Sequence, residues 1–107
     1  ADDYRRSSPR FMGDNFDRNL QLVEQVKTLA ADKGCSPAQL ALAWVLAQGP
    51  DVLAIPGTGK RSRLDENLGA LDLRLSAAEL AAIDAVFPPD AAVGTRYAAA
   101  MMHMVNV

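Results

Sequence analysis

One run in this chain reads as a β-strand, DVLAIP at residues 51–56, and it stands among four helical patterns. A strand carries hydrogen-bonding groups along both edges, so a single strand cannot make a sheet protein by itself. Two solutions exist. Either the chain is all helical and the run is no strand, or the strand pairs with others belonging to a larger α/β domain. The order strand, small-residue turn, helix favours the second, because it is the repeating unit of parallel sheets covered on both faces.

The helical patterns are explicit. Phe16, Leu20, Val23, Val26 and Ala30 recur at spacings of three and four, which predicts a helix over 15–33, and Gly34 is placed to end it in a left-handed cap. In SPAQLALAWVLAQGP, Ser36 is a cap, Pro37 fits the first turn and Gln39 completes a capping box. Leu40, Ala41, Trp44, Val45 and Leu46 leave that second helix little polar surface, so burial on most sides is expected, with Trp44 in a core. Gly49 and Pro50 stop it, closing a helical segment at 15–48. Ser62 with Asp65 and the stripe Leu64, Leu68, Leu71 predict a third helix over 63–70. Ser76 with Glu79, followed by Leu80, Ile83 and Val86 or Phe87, predicts a fourth over 76–87, ended by Pro88 and Pro89. Residues 1–14 have neither period and read as a loop arm, while 88–107 form a small-residue apolar tail without a clear register.

Composition narrows the function classes. The chain has 107 residues, 50% hydrophobic, with a formal net charge of -2, which argues for one soluble globular unit and against a basic nucleic-acid surface. No apolar run approaches the roughly 18 to 20 residues that span a bilayer, and the start ADDYRRSS lacks a signal-peptide pattern, so neither a membrane nor a nucleic acid is expected as a partner and the cytoplasm is the expected location. Cys35 is alone, which excludes an intrachain disulfide and a cysteine-built metal site; no metal is expected.

Against that acidic background, Lys60, Arg61 and Arg63 gather at one point, just after PGTG. If VLAI is a parallel strand, PGTG lies at its carboxyl end, the edge where α/β folds place ligands. Gly57 and Gly59 let backbone come close to an anion, Thr58 adds a hydroxyl, and the start of the next helix brings its positive dipole end to the same space. Glu66 and Asn67, one turn into that helix, offer a carboxylate and an amide to a heterocycle such as adenine. The residues alone leave two readings open: a phosphate site, or a solvated cationic patch in which Glu66 only pairs with a neighbour. Neither a Walker A loop nor a dinucleotide GxGxxG is present.

The stretch AIPGTGKRSRLDENLGALDLRLSAAELAAID resembles the carboxyl-terminal signature of the aldo-keto reductase superfamily, and SPAQLALAWVL resembles that family's penultimate barrel helix. The resemblance covers essentially the whole chain and points to bacterial NADPH-dependent members. It implies an α/β fold, the TIM-type (β/α)8 barrel, which typically needs about 250 residues. This chain then corresponds to the last third of a single barrel domain: helices at 15–48 before the last strand, strand eight at 51–56, the cofactor loop and eighth helix at 57–70, and an extra outer helix at 76–87. In this portion the fold is mostly helical.

The same resemblance implies NADPH as cofactor and reduction of aldehydes or ketones to alcohols, with a small carbonyl substrate and the missing amino-terminal part of the barrel as partners. The strand-end Pro56 leads into the site. Gly57, Thr58 and Arg63 match positions that bind the adenosine 2′-phosphate, and Glu66 and Asn67 match adenine contacts. Many members carry a lysine where this chain has Gly57, which leaves Lys60 or Arg61, beside Gly59, to supply that charge. The family's catalytic Asp, Tyr, Lys and His set lies on early strands and loops, and none of its motifs occurs here. Tyr4, Tyr97 and His103 are assigned no catalytic role, so this chain alone is expected to be inactive. The alternatives are a non-catalytic helical interaction module and a generic phosphate-binding fragment.

Overall fold

The computed structural model describes residues 3–105; the outermost positions of the arm and tail expectations, 1–2 and 106–107, lie outside the described residues. Four α-helices follow one another: α1 at Asp14–Lys33, α2 at Pro37–Leu46, α3 at Arg61–Leu68 and α4 at Ala77–Val86. Short 3₁₀ turns occupy Tyr4–Ser7, Pro9–Phe11, Gly69–Asp72 and Ala99–Met104, so the arm and tail have local order that their sequence periods do not announce. Two compact units result, one made of residues 25–85 and one of the residues up to Glu24 with those from Val86 on. No helix among the described residues is long and apolar enough to cross a membrane.

The helix ends follow their local chemistry. Gly34 takes φ 74°, and the bonds from its N–H to the Ala31 carbonyl and from Cys35 N–H to the Ala30 carbonyl, both 3.0 Å, make the Schellman closure of α1. Ser36 and Gln39 form the capping box of α2: the Gln39 N–H donates to Ser36 Oγ at 3.2 Å and the Ser36 N–H donates to the Gln39 side-chain oxygen at 3.0 Å. The same reciprocal pair recurs at α4, where Ser76 N–H donates to Glu79 Oε2 at 2.7 Å and Glu79 N–H donates to Ser76 Oγ at 3.2 Å. The third start differs from expectation. Helix α3 begins at Arg61 with Lys60 as an N-cap that makes no side-chain capping bond; Ser62 lies inside the first turn, where its hydroxyl cannot cap.

The strand expected at 51–56 is not formed. Among the described residues there is no strand, and 52–59 carry no regular secondary structure. The physical reason is the missing neighbour: a ladder needs a second strand, and this chain has none to offer.

In the second unit, the buried residues are Ala30, Leu40, Ala43, Ala70 and Ile83, a small core in which three members are alanines. Helix α2 is therefore less enclosed than its composition predicts, with only Leu40 and Ala43 buried, and Trp44 is half-buried with its indole N–H donating to Asp84 Oδ1 at 2.9 Å. Leu80 is also only half-buried. On the run that reads as a strand, Leu53 is 84% and Ile55 96% exposed.

The first unit is held by amides rather than by a core. Asn19 donates to the Arg10 carbonyl at 2.9 Å and to the Val93 carbonyl at 2.8 Å, and its Oδ1 accepts the Val93 N–H at 2.8 Å. Asn15 adds a bond to the Pro9 carbonyl at 3.0 Å. Arm and tail are thereby tied to the start of α1. Phe16 and Leu20, on the expected apolar stripe of that helix, stay exposed, as does Val23.

Candidate functional site

Residues 56–67 bring the loop PGTG and the first turns of α3 together in the second unit. The loop is shaped by its own hydroxyl: Thr58 Oγ donates to the Pro56 carbonyl at 3.0 Å, and Asn67 Nδ2 donates to Thr58 Oγ at 3.2 Å. One side chain of α3 thus holds the loop that precedes it. Neither Gly57 nor Gly59 has a positive φ, and a Cβ at either would meet no atom within 4 Å. Nothing in the chain's own packing calls for glycine at these two positions.

The electrostatics of this helix start are one-sided. Lys60, Arg61 and Arg63 stand on the cap and first turn, where no acidic residue occurs. Partial positive charge from the free N–H groups lies in the same place, so the cations add to the dipole's positive end instead of offsetting it. Arg63 Nη1 donates to Glu66 Oε2 at 2.8 Å, a pair one turn apart on the helix surface. Lys60 and Arg61 are exposed and have no carboxylate within ion-pairing distance among the described residues. The expected site residues Pro56, Gly57, Thr58, Gly59, Lys60, Arg61 and Arg63 are all exposed, and Glu66 and Asn67 are half-buried beneath them.

Glu66 is the best-supported of the set. Hydrogen bonds from the Ser36 hydroxyl and from the Arg63 guanidinium hold its carboxyl below the ordinary value, keeping it an acceptor. Its backbone carbonyl accepts from Gln39 Nε2 at 2.9 Å. The sequence reading identifies Ser36 and Gln39 as a capping pair only; their second task at α3 is not visible in spacing, because it links positions 27 residues apart.

Tyr4, Tyr97 and His103 lie away from this loop in sequence and in the other unit, exposed. A groove lined by Leu29, Lys33, Leu40, Leu75, Glu79 and Ile83 lies on α1, α2 and α4 and includes none of residues 56–67. Among the described residues no cluster of three or more His, Cys, Asp and Glu side chains could hold a metal ion.

The arrangement places three exposed cations beside a half-buried carboxylate and amide. Comparison with known proteins identifies the family. Residues 2–87 match the model of the aldo/keto reductase family. The chain is 43% identical over 95 residues to the protein named aldo-keto reductase yakc, NADP(+), of Schizosaccharomyces pombe, covering 89% of this chain and 28% of that protein. It is 46% identical over 92 residues to a protein named probable aldo-keto reductase 1 of Glycine max, covering 86% of this chain and 27% of that one. The chain therefore spans just over a quarter of the length of these curated relatives.

Proposed function

The chain belongs to the aldo/keto reductase family, and from that premise we propose that it forms the carboxyl-terminal third of a (β/α)8 barrel and supplies the adenosine end of an NADPH site. The whole protein is then an oxidoreductase that reduces aldehydes or ketones to alcohols. In this reading residues 51–56 pair with strands contributed by the rest of the barrel, which also covers Leu53 and Ile55.

Thr58, Arg63 and one of Lys60 and Arg61 would hold the 2′-phosphate, and Glu66 and Asn67 would meet the adenine. The cofactor supplies the hydride. The residues of this chain bind and orient. Arg63 and one of Lys60 and Arg61 neutralise a dianion where the helix dipole also favours it, and the open positions at Gly57 and Gly59 let the backbone approach.

The single observation that carries the reading is the cationic start of α3, with Lys60, Arg61 and Arg63 around a first turn that has no acidic residue and, among the described residues, only Arg63 of the three paired, with Glu66. Aldehyde-dependent oxidation of NADPH tests it. This chain alone should show no turnover, and the chain joined by the remaining barrel should reduce the aldehyde. Turnover by the chain alone would contradict the division of labour proposed.

A further inference from the structure

We infer that Gln39 is a positioning residue for the adenosine contacts, its side-chain amide bridging the start of α2 to the backbone of α3 and so fixing where Glu66 and Asn67 stand. The inference rests on the cofactor site proposed above and adds to it a residue that lies outside the loop and its helix.

The Gln39 amide is used at both ends. Its oxygen accepts the Ser36 N–H at 3.0 Å, which closes the capping box, and its nitrogen donates to the Glu66 carbonyl at 2.9 Å. That carbonyl lies in the last turn of α3, and Gln39 binds it from outside the helix.

Gly69 supplies an independent observation. Its φ is -59°, a value that any residue adopts, so its backbone does not require glycine. A Cβ there would collide with Gln39 Nε2, so any other residue obliges the end of the Gln39 side chain to move aside. Glycine at a helix end loses more conformational freedom on folding than alanine would. The chain accepts that loss where the Gln39 amide passes.

The bridge matters because α3 is only eight residues long and begins with an uncapped turn crowded by like charges. Its own hydrogen bonds are few, and its position depends on what it leans against. Without the Gln39 bond, Glu66 and Asn67 would lose their fixed distance from the capped start of α2, and a planar ring would meet them in several arrangements instead of one.

The test uses the complete reductase, with dissociation constants for NADPH and NADH measured by fluorescence quenching. Gln39→Glu keeps the side-chain oxygen that caps α2 but cannot donate to the Glu66 carbonyl. Gly69→Ala displaces the same amide from the other side. Each should raise the dissociation constants of NADPH and NADH by a common factor of about 2 to 12, the effect of one hydrogen bond, because both cofactors share the adenine. The KM for NADPH should rise more than kcat falls. Ile83→Ala, which destabilises the second unit away from the site, should leave both constants unchanged. Native constants in both Gln39→Glu and Gly69→Ala, or an equal loss in Ile83→Ala, would overturn the inference. Failure of the site assignment itself has a different signature: Arg63→Ala would then weaken NADPH and NADH alike.

Discussion

Asn67 Nδ2 donates to Thr58 Oγ at 3.2 Å, and that same hydroxyl donates to the Pro56 carbonyl at 3.0 Å, so a helix side chain sets the conformation of the loop nine residues before it. Thr58→Val keeps the shape of the side chain and removes both bonds. In the complete reductase it should weaken NADPH by at least the 0.5 to 1.5 kcal/mol typical of one hydrogen bond, roughly, with Thr58→Ser restoring most of it. Calorimetric titration of the two variants checks this, and an unaltered affinity in Thr58→Val would show that the loop needs no hydroxyl.

Glu79 predicts a pH dependence in the second unit. Its carboxylate accepts from Lys33 Nζ at 2.7 Å and from the Ser76 N–H at 2.7 Å, and these partners, Lys33 first, lower its pKa from 4.5 to about 2. A carboxyl whose folded pKa is depressed contributes stability above its unfolded pKa and loses it as pH falls through the folded one. The contribution of Glu79 should therefore be complete above about pH 5 and fade between 4.5 and 2. Urea unfolding of wild type and Glu79→Gln across that range should show their stabilities converging as the pH drops; a difference that stays constant would exclude this ion pair as the cause.

Gly94 is constrained in a way that Gly57 and Gly59 are not. It sits at φ 91°, and a Cβ there would come within 2.9 Å of the Pro9 carbonyl carbon and oxygen and 3.0 Å of Asn15 Nδ2. Gly94→Ala should cost about 1 to 3 kcal/mol through backbone strain, before any displacement of the arm is counted. Equilibrium unfolding measures it, with a loss below about 0.5 kcal/mol, the size of an ordinary surface change, contradicting the account.

How far the sequence carries depends on whether a feature is local. The Schellman end at Gly34 and the boxes at Ser36 and Ser76 depend on residues within five positions of each other, and all three form as their spacing predicts. A Ser with an acidic residue three places on is only a potential cap, and α3 starts two residues before the expected position, at Arg61 with Lys60 as its cap. The run 51–56 has strand composition but no partner in this chain, and composition cannot supply one. Enclosure of α2 is only partial for a related reason, since apolar residues record what a helix is suited to touch rather than what this stretch of chain can place beside it. At the site, residue types and spacing name the cations, Glu66 and Asn67. The supports from Ser36 and Gln39 cross 30 and 27 positions and needed the fold to appear.

The central claim, that Lys60, Arg61 and Arg63 gather to neutralise a 2′-phosphate, is tested most directly by the affinities of the complete reductase for NADPH and NADH at one ionic strength, in wild type and in Lys60→Ala, Arg61→Ala and Arg63→Ala. Arg63→Ala should weaken NADPH by about 1.5 to 3 kcal/mol, the loss of a charge-assisted contact, while NADH, which lacks that phosphate, changes far less. One of Lys60→Ala and Arg61→Ala should show the same selectivity and so identify the second cation. Equal weakening of NADPH and NADH in all three variants would contradict the claim and return the cluster to an ordinary solvated surface.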